Sequence, residues 1–138
     1  MTIKVDAHQH FWNLDEVAYP WLDVTFGPIC RTFEPPELEG HLKQAGIDKT
    51  VLVQSMNSYA DTESMLRIAD DHEWVGAVVG WVPINIPEVA DRKLEFYKKH
   101  PKFKGVRHLI HEEKDPDWII RDHVIEGLKV LAYHGMTY

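Results

Sequence analysis

The hydrophobic pattern of the chain switches repeatedly between a period of two and a period near 3.6. Ile3-Lys4-Val5-Asp6-Ala7-His8 alternates apolar and polar residues, which predicts a first strand, and Phe11 and Trp12 follow directly. From residue 13 to residue 36 no period holds. Tyr19-Pro20-Trp21-Leu22 and Phe26-Gly27-Pro28 mark this stretch as a long aromatic loop, a length expected of a lid or binding loop. Glu37 to Ala45 places Leu38, Leu42 and Ala45 at helical spacing, with Gly46 as the stop. Lys49 to Gln54 is β-branched and apolar and predicts a buried second strand. Asp61 stands where an N-cap would, before Met65, Leu66, Ile68 and Ala69, and this helix runs to about His72. The cycle then repeats. Val75 to Val82 predicts a third strand, Asn85 caps a helix from Val89 to His100, and Phe103 to Leu109 predicts a fourth strand. A helical region from Asp117 to His134 carries Ile125, Leu128, Leu131 and Ala132 on its apolar face, and Met136-Thr137-Tyr138 begins a fifth strand.

Four strand–helix units with short apolar strands predict an α/β domain over residues 1–138, with parallel pairing and right-handed crossovers. An open doubly wound sheet can be complete at this length, whereas an eight-stranded barrel typically needs about 250 residues. Length alone favours the open sheet. Against it, no glycine-rich turn follows the first strand to hold a phosphate, and that strand ends in His-x-His instead.

Charge and composition remove several classes of function. Acidic residues outnumber basic ones 22 to 15, a net charge of -7, so bulk electrostatics would draw in neither nucleic acid nor an anionic membrane surface. The longest apolar run, Trp74 to Ile84, is broken by glycines and falls far short of the roughly 20 residues that span a bilayer. The first residues show no secretory pattern, and the cytoplasm is the expected compartment. Cys30 has no second cysteine to pair with and reads as structural.

The candidate chemistry starts on the first strand. Alternation places Asp6, His8 and His10 on one face if the strand stays extended through residue 10, with Val5, Ala7 and Gln9 on the other. At the carboxyl end of a barrel strand, two neutral imidazoles could bind a metal or hydrogen-bond a substrate carbonyl, although two are too few for a closed zinc site. Asp6 would orient a neighbouring histidine.

Val5-Asp6-Ala7-His8-Gln9-His10-Phe11-Trp12, Tyr19-Pro20-Trp21-Leu22, Val51-Leu52-Val53-Gln54, Gly80-Trp81-Val82 and Lys104-Gly105-Val106-Arg107-His108 occur in an order that resembles the amidohydrolase-related family of sugar-lactone and dicarboxylate-lactone hydrolases. The resemblance runs over essentially the whole chain. It implies a (β/α)8 TIM-like barrel of which this chain supplies about the first four β/α units, and opening of a lactone or related ester by water. By the same resemblance His8 and His10 match the first-strand pair and Arg107 a fourth-strand arginine that contacts substrate. Gln54 and Trp12 are expected to face the same pocket. A guanidinium aimed at the carbonyl oxygen would stabilise the charge that builds there, a role that fits Arg107 on chemistry alone. Strand alternation turns His108 away from Arg107, so His108 is a second choice and His111 a weaker one.

The family's general base is an eighth-strand carboxylate, and nothing here matches it. The chain is therefore expected to be inactive alone. The cofactor expectation is a divalent metal such as zinc on His8 and His10, or none, because the family holds both kinds of member. Two other readings follow from the open edges of such a half-barrel: a non-catalytic module that binds a ligand, or a homo-oligomer that covers its own exposed sheet.

Overall fold

A computed structural model describes residues 2–138; Met1, where the reading of the N-terminus begins, lies outside the described residues. Strands β1 (Val5–Gln9), β2 (Lys49–Val53), β3 (Val75–Gly80) and β4 (Phe103–Val106) form one parallel sheet in the order β1-β2-β3-β4. Helices α1 (Pro35–Ala45), α2 (Tyr59–Asp71), α3 (Pro87–Tyr97) and α4 (Asp122–Tyr133) follow the four strands. This order decides between the two architectures. A doubly wound sheet reverses direction so that its helices cover both faces, whereas uniform right-handed crossovers put every helix on one face, as in a barrel wall. Burial agrees: Leu52 and Val78 are fully enclosed under the helices, while Val51, Ala77 and Val79 on the other face are only half-buried. A fifth strand starts as the sequence predicts. Thr137 pairs in parallel with Gly105, and its carbonyl accepts from Val106 N at 2.9 Å.

The main core lies between sheet and helices. Leu52, Val78 and Phe103 meet Met65, Leu94, Tyr97 and Leu131 from α2, α3 and α4, all nearly or fully buried. Several boundaries differ from the pattern. Pro35 and Pro36 lie inside the first turn of α1, where a missing N–H costs nothing, and Gly46 ends that helix in the left-handed region (φ 66°). Asn85 does not cap α3; Ile86 precedes it without a side-chain bond, and the helix stops at Tyr97. The last helical region is broken at Arg121 into a 3-10 turn and α4. Its buried face is Val124, Gly127 and Leu131, so Ile125 is turned outward.

Ser58, not Asp61, caps α2: its Oγ accepts from Asp61 N at 3.1 Å. Asp61 sits one turn inside and reaches back out of the helix. Its buried carboxylate accepts from Tyr19 Oη at 2.7 Å, Ser55 N at 2.8 Å and Met56 N at 3.2 Å. Burial pushes the Asp61 carboxyl up, opposed by these three bonds, and pushes the Tyr19 phenol up as well. The pair fastens the aromatic loop to the β2–α2 connection. Val17, Tyr19 and Leu22 form a small second core there, with Trp12, Trp21, Cys30 and Met56 packed against it. Asp61→Ala leaves a buried hydroxyl and two amides without an acceptor, and is expected to cost about 3 kcal/mol in thermal unfolding. Tyr19→Phe removes one bond and should cost about 1 kcal/mol.

Candidate active site

The carboxyl ends of the strands converge on a cleft of about 470 Å³ lined by His10, Trp12, Trp21, Phe26, Ser55, Arg107, Leu109, His111 and Glu112. On β1 the alternation is interrupted. Asp6 pairs with Thr50 but Gln9 with Leu52, three steps against two, so a bulge lies between them. Asp6 Oδ1 accepts the backbone N–H of His8 at 3.1 Å and touches no imidazole, which corrects its expected role as an orienter. The two histidines nonetheless meet: their Nε2 atoms lie 3.0 Å apart.

The orienter of His10 is a backbone carbonyl. Val53 O accepts from His10 Nδ1 at 2.8 Å, which leaves the Nε2 lone pair facing His8. Burial holds the His10 pKa below the ordinary imidazole value, opposed by that bond and helped by the nearby charges of His8 and Arg107. This favours the neutral imidazole. Two nitrogens bound to one tetrahedral zinc at about 2.0–2.1 Å each would lie about 3.3 Å apart, within a few tenths of an ångström of the observed pair. Among the described residues no third His, Cys, Asp or Glu joins them. The donor set fits two positions of a metal shell.

Arg107 continues the β4 ladder by one residue, its N donating to Gly80 O at 2.9 Å. Among the described residues its guanidinium makes one hydrogen bond, Nη1 to Gln54 O at 3.0 Å. The rest of the fork is free to face the cleft. Gln54 does not line that cleft, contrary to the expectation that it contacts substrate: it is fully buried, and its Nε2 donates to Arg107 O at 2.9 Å and Asn57 Oδ1 at 3.1 Å. It clamps the strand that carries the arginine. Trp12 does line the cleft, with its Nε1 donating to Arg31 O at 2.7 Å.

His108 turns away from the cleft as alternation predicts. Its Nδ1 accepts from Trp81 Nε1 at 3.1 Å, its Nε2 donates to Glu113 Oε1 at 2.6 Å, and its ring stacks on Trp118 at 4.1 Å. Burial lowers its pKa, only partly offset by Glu113. Its folded value lies below the unfolded one, so its contribution to stability is present above the ordinary imidazole pKa and is lost as pH falls from there through the lower folded value. Thermal midpoints measured from pH 8 to pH 5 should fall more steeply for the native protein than for His108→Gln. Ser55, His111 and Glu112 are lining residues that sequence spacing did not single out as a group; the last two sit on a 3-10 turn (Ile110–Glu112) just after β4.

Residues 5–137 match the amidohydrolase family model. The chain belongs to the amidohydrolase family. This amidohydrolase chain is 38% identical, over 139 residues, to an L-fucono-1,5-lactonase of Burkholderia ambifaria, covering 100% of this chain and 47% of that protein. It is 30% identical over 113 residues to an L-fucono-1,5-lactonase of Burkholderia multivorans, covering 82% of this chain and 38% of that one. It superposes with a TM-score of 0.85 and 26% identity on a crystal structure of an amidohydrolase from Burkholderia multivorans that has bound zinc, covering 98% of this chain and 47% of the other. The chain thus spans about half the length, or less, of the curated relatives it matches. The four amidohydrolase β/α units correspond to about half of that solved structure.

Proposed function

We propose that this protein is a hydrolase that opens a sugar-acid or dicarboxylate lactone by attack of water on the ring carbonyl, and that residues 1–138 act as the first four units of its barrel. The observation that carries the reading is the meeting, in one cleft, of His10, oriented by the Val53 carbonyl, and Arg107, whose guanidinium bonds no carboxylate among the described residues. The similarity to L-fucono-1,5-lactonases supports a lactone as the substrate class.

In this reaction a bond forms between water oxygen and the carbonyl carbon, and negative charge gathers on the carbonyl oxygen. The free N–H groups of Arg107 stabilise that charge in a site partly shielded from water. The carbon–ring oxygen bond then breaks, the ring oxygen takes up the proton given up by the attacking water, and a hydroxy acid leaves. His10, fixed by Val53 O, keeps its Nε2 lone pair turned to His8 at the edge of the cleft, where the pair can serve as donors to a metal. His8 and His10 would hold a divalent metal such as zinc, which when bound polarises a carbonyl oxygen or acidifies a water molecule. Trp12 borders the substrate, and Gln54 acts through Arg107. The compartment proposed is the cytoplasm; among the described residues no helix is long and apolar enough to cross a membrane.

The test is acid release at constant pH from a panel of 1,5- and 1,4-lactones by the native protein, with and without added zinc. Turnover of at least one sugar-acid lactone is expected of the complete barrel to which residues 1–138 contribute four units, and none of residues 1–138 alone. Saturable binding of lactones without any turnover would replace the hydrolase by a binding module.

A further inference from the structure

Asp61 does not line the cleft, yet its carboxylate is joined to it through the backbone. Its Oδ2 accepts from two successive amides, Ser55 N at 2.8 Å and Met56 N at 3.2 Å. The carbonyls of those same two peptide groups hold side chains of the cleft. Gln54 O, which shares a peptide with Ser55 N, accepts from Arg107 Nη1 at 3.0 Å. Ser55 O, which shares one with Met56 N, accepts from Trp21 Nε1 at 2.8 Å. Arg107, Trp21 and Ser55 all line the cleft.

A peptide group is planar, and in its trans form the N–H and C=O point to opposite sides. No cis peptide occurs among the described residues. Each of these two groups is therefore gripped at both ends, by Asp61 on one side and by a cleft side chain on the other. Neither can rotate without giving up one of its two hydrogen bonds. Asp61 is itself fixed. It is 1% exposed, Tyr19 Oη donates to its Oδ1 at 2.7 Å, and its own N–H donates to Ser58 Oγ at 3.1 Å at the start of α2. Gln54, fully buried, adds a second tie to the arginine, Nε2 donating to Arg107 O at 2.9 Å. With the carboxylate gone, two amides lose their acceptor, and rotation of both peptides toward another one is the available relief. That rotation carries Gln54 O and Ser55 O, and hence both cleft side chains, with it.

We infer that Asp61 is a positioning residue of the cleft: through the Gln54–Ser55 and Ser55–Met56 peptides it fixes the direction of the Arg107 guanidinium and of the Trp21 indole at once. Asp61→Asn keeps this arrangement, because both amides use Oδ2 alone. The side-chain amide oxygen takes that place, and its Nδ2 donates to Tyr19 Oη, which can accept. Asp61→Ala abolishes it. The catalytic consequence rests on the lactone reading above; the positioning stands apart from it.

The experiment is made on the complete barrel that contains residues 1–138, below the thermal midpoint of the least stable variant. NMR follows the exchange with water of the Arg107 guanidinium protons and the Trp21 indole proton, assigned by their loss in Arg107→Met and Trp21→Phe. In Asp61→Ala both should exchange about 10-fold faster, the factor one ordinary hydrogen bond supplies, and in Asp61→Asn within about 3-fold of native. The kcat for lactone opening should fall by about 10- to 100-fold in Asp61→Ala with little change in KM, as a misplacement of about 1 Å brings, and Asp61→Asn should recover most of it. Added to Arg107→Met, Asp61→Ala should cost less than about 3-fold more, because the group it positions is already gone. An equal loss in both backgrounds, or unchanged exchange at both groups, overturns the inference. Should Asp61→Ala not fold, Asp61→Glu carries the comparison. It keeps the charge but displaces the carboxylate by one methylene, so both groups must again exchange faster, and unchanged exchange overturns the inference there too. No turnover of any lactone by the native barrel would sink the hydrolase reading and leave the exchange measurement to decide this one. Turnover with exchange unmoved in the variants would do the reverse.

Discussion

Gly127→Ala lowers the thermal midpoint by about 10 °C or more, which corresponds to at least about 3 kcal/mol for a domain of this size. Gly127 lies on the buried face of α4, and a Cβ built there would stand 1.7 Å from the carbonyl oxygen of Ile84 and 2.7 Å from its carbon. Both are backbone atoms in the β3–α3 connection, so no side chain can swing aside. The helix must shift away from the sheet, and Val124 and Leu131, both nearly or fully buried, shift with it. Gly40→Ala is the matched control. It sits in α1 with nothing within 4 Å of a new Cβ, and should stabilise by up to about 1 kcal/mol through helix propensity and a less flexible unfolded chain. Differential scanning calorimetry of the two variants beside the native protein measures the contrast. Equal midpoints for both would mean that α4 does not dock on Ile84.

If the proposed lactone opening is the reaction, Arg107→Met should reduce its kcat by about 100- to 1,000-fold with little change in KM, the loss that follows removal of one preorganised donor to a developing oxyanion. The arginine suits that role because, among the described residues, a single hydrogen bond to Gln54 O orients its fork and leaves the other N–H groups open to a ligand. Arg107→Lys recovers only part of the rate. A lysine ammonium can satisfy the Gln54 carbonyl or the substrate oxygen, but cannot reproduce the planar fork that serves both. Steady-state kinetics separate the cases. A raised KM at unchanged kcat would make Arg107 a ground-state binding group, because only contacts that strengthen at the transition state change kcat.

The strands were legible in the chain because each is a short apolar run with turn residues beside it. Their ends were not. The run Val75–Val82 continues past the last ladder residue, Gly80, because Val82 and Ile84 are core residues of the following loop and look no different from strand. Val106 to Leu109 repeats this at β4. The meeting of His8 and His10 was readable from their spacing, but the bulge beside them carries no mark in composition. The clamp from Gln54 to Arg107 joins residues 53 apart in the chain, and the Tyr19–Asp61 bond residues 42 apart. Local pattern holds no trace of either. The aromatic loop was recognisable as a segment that folds over something; which rings border the cleft depends on those distant bonds.

The most direct measurement is a crystal structure of the native protein bound to a non-hydrolysable 1,5-lactam. The lactam carbonyl oxygen is expected within hydrogen-bond distance of an Arg107 guanidinium nitrogen, with its carbon facing His8 and His10, directly or through a zinc ion held by them. A lactam seated instead in the smaller cavity beside Glu16, Ser64 and Arg67, away from both histidines, would contradict the assignment of this cleft as the site of lactone opening.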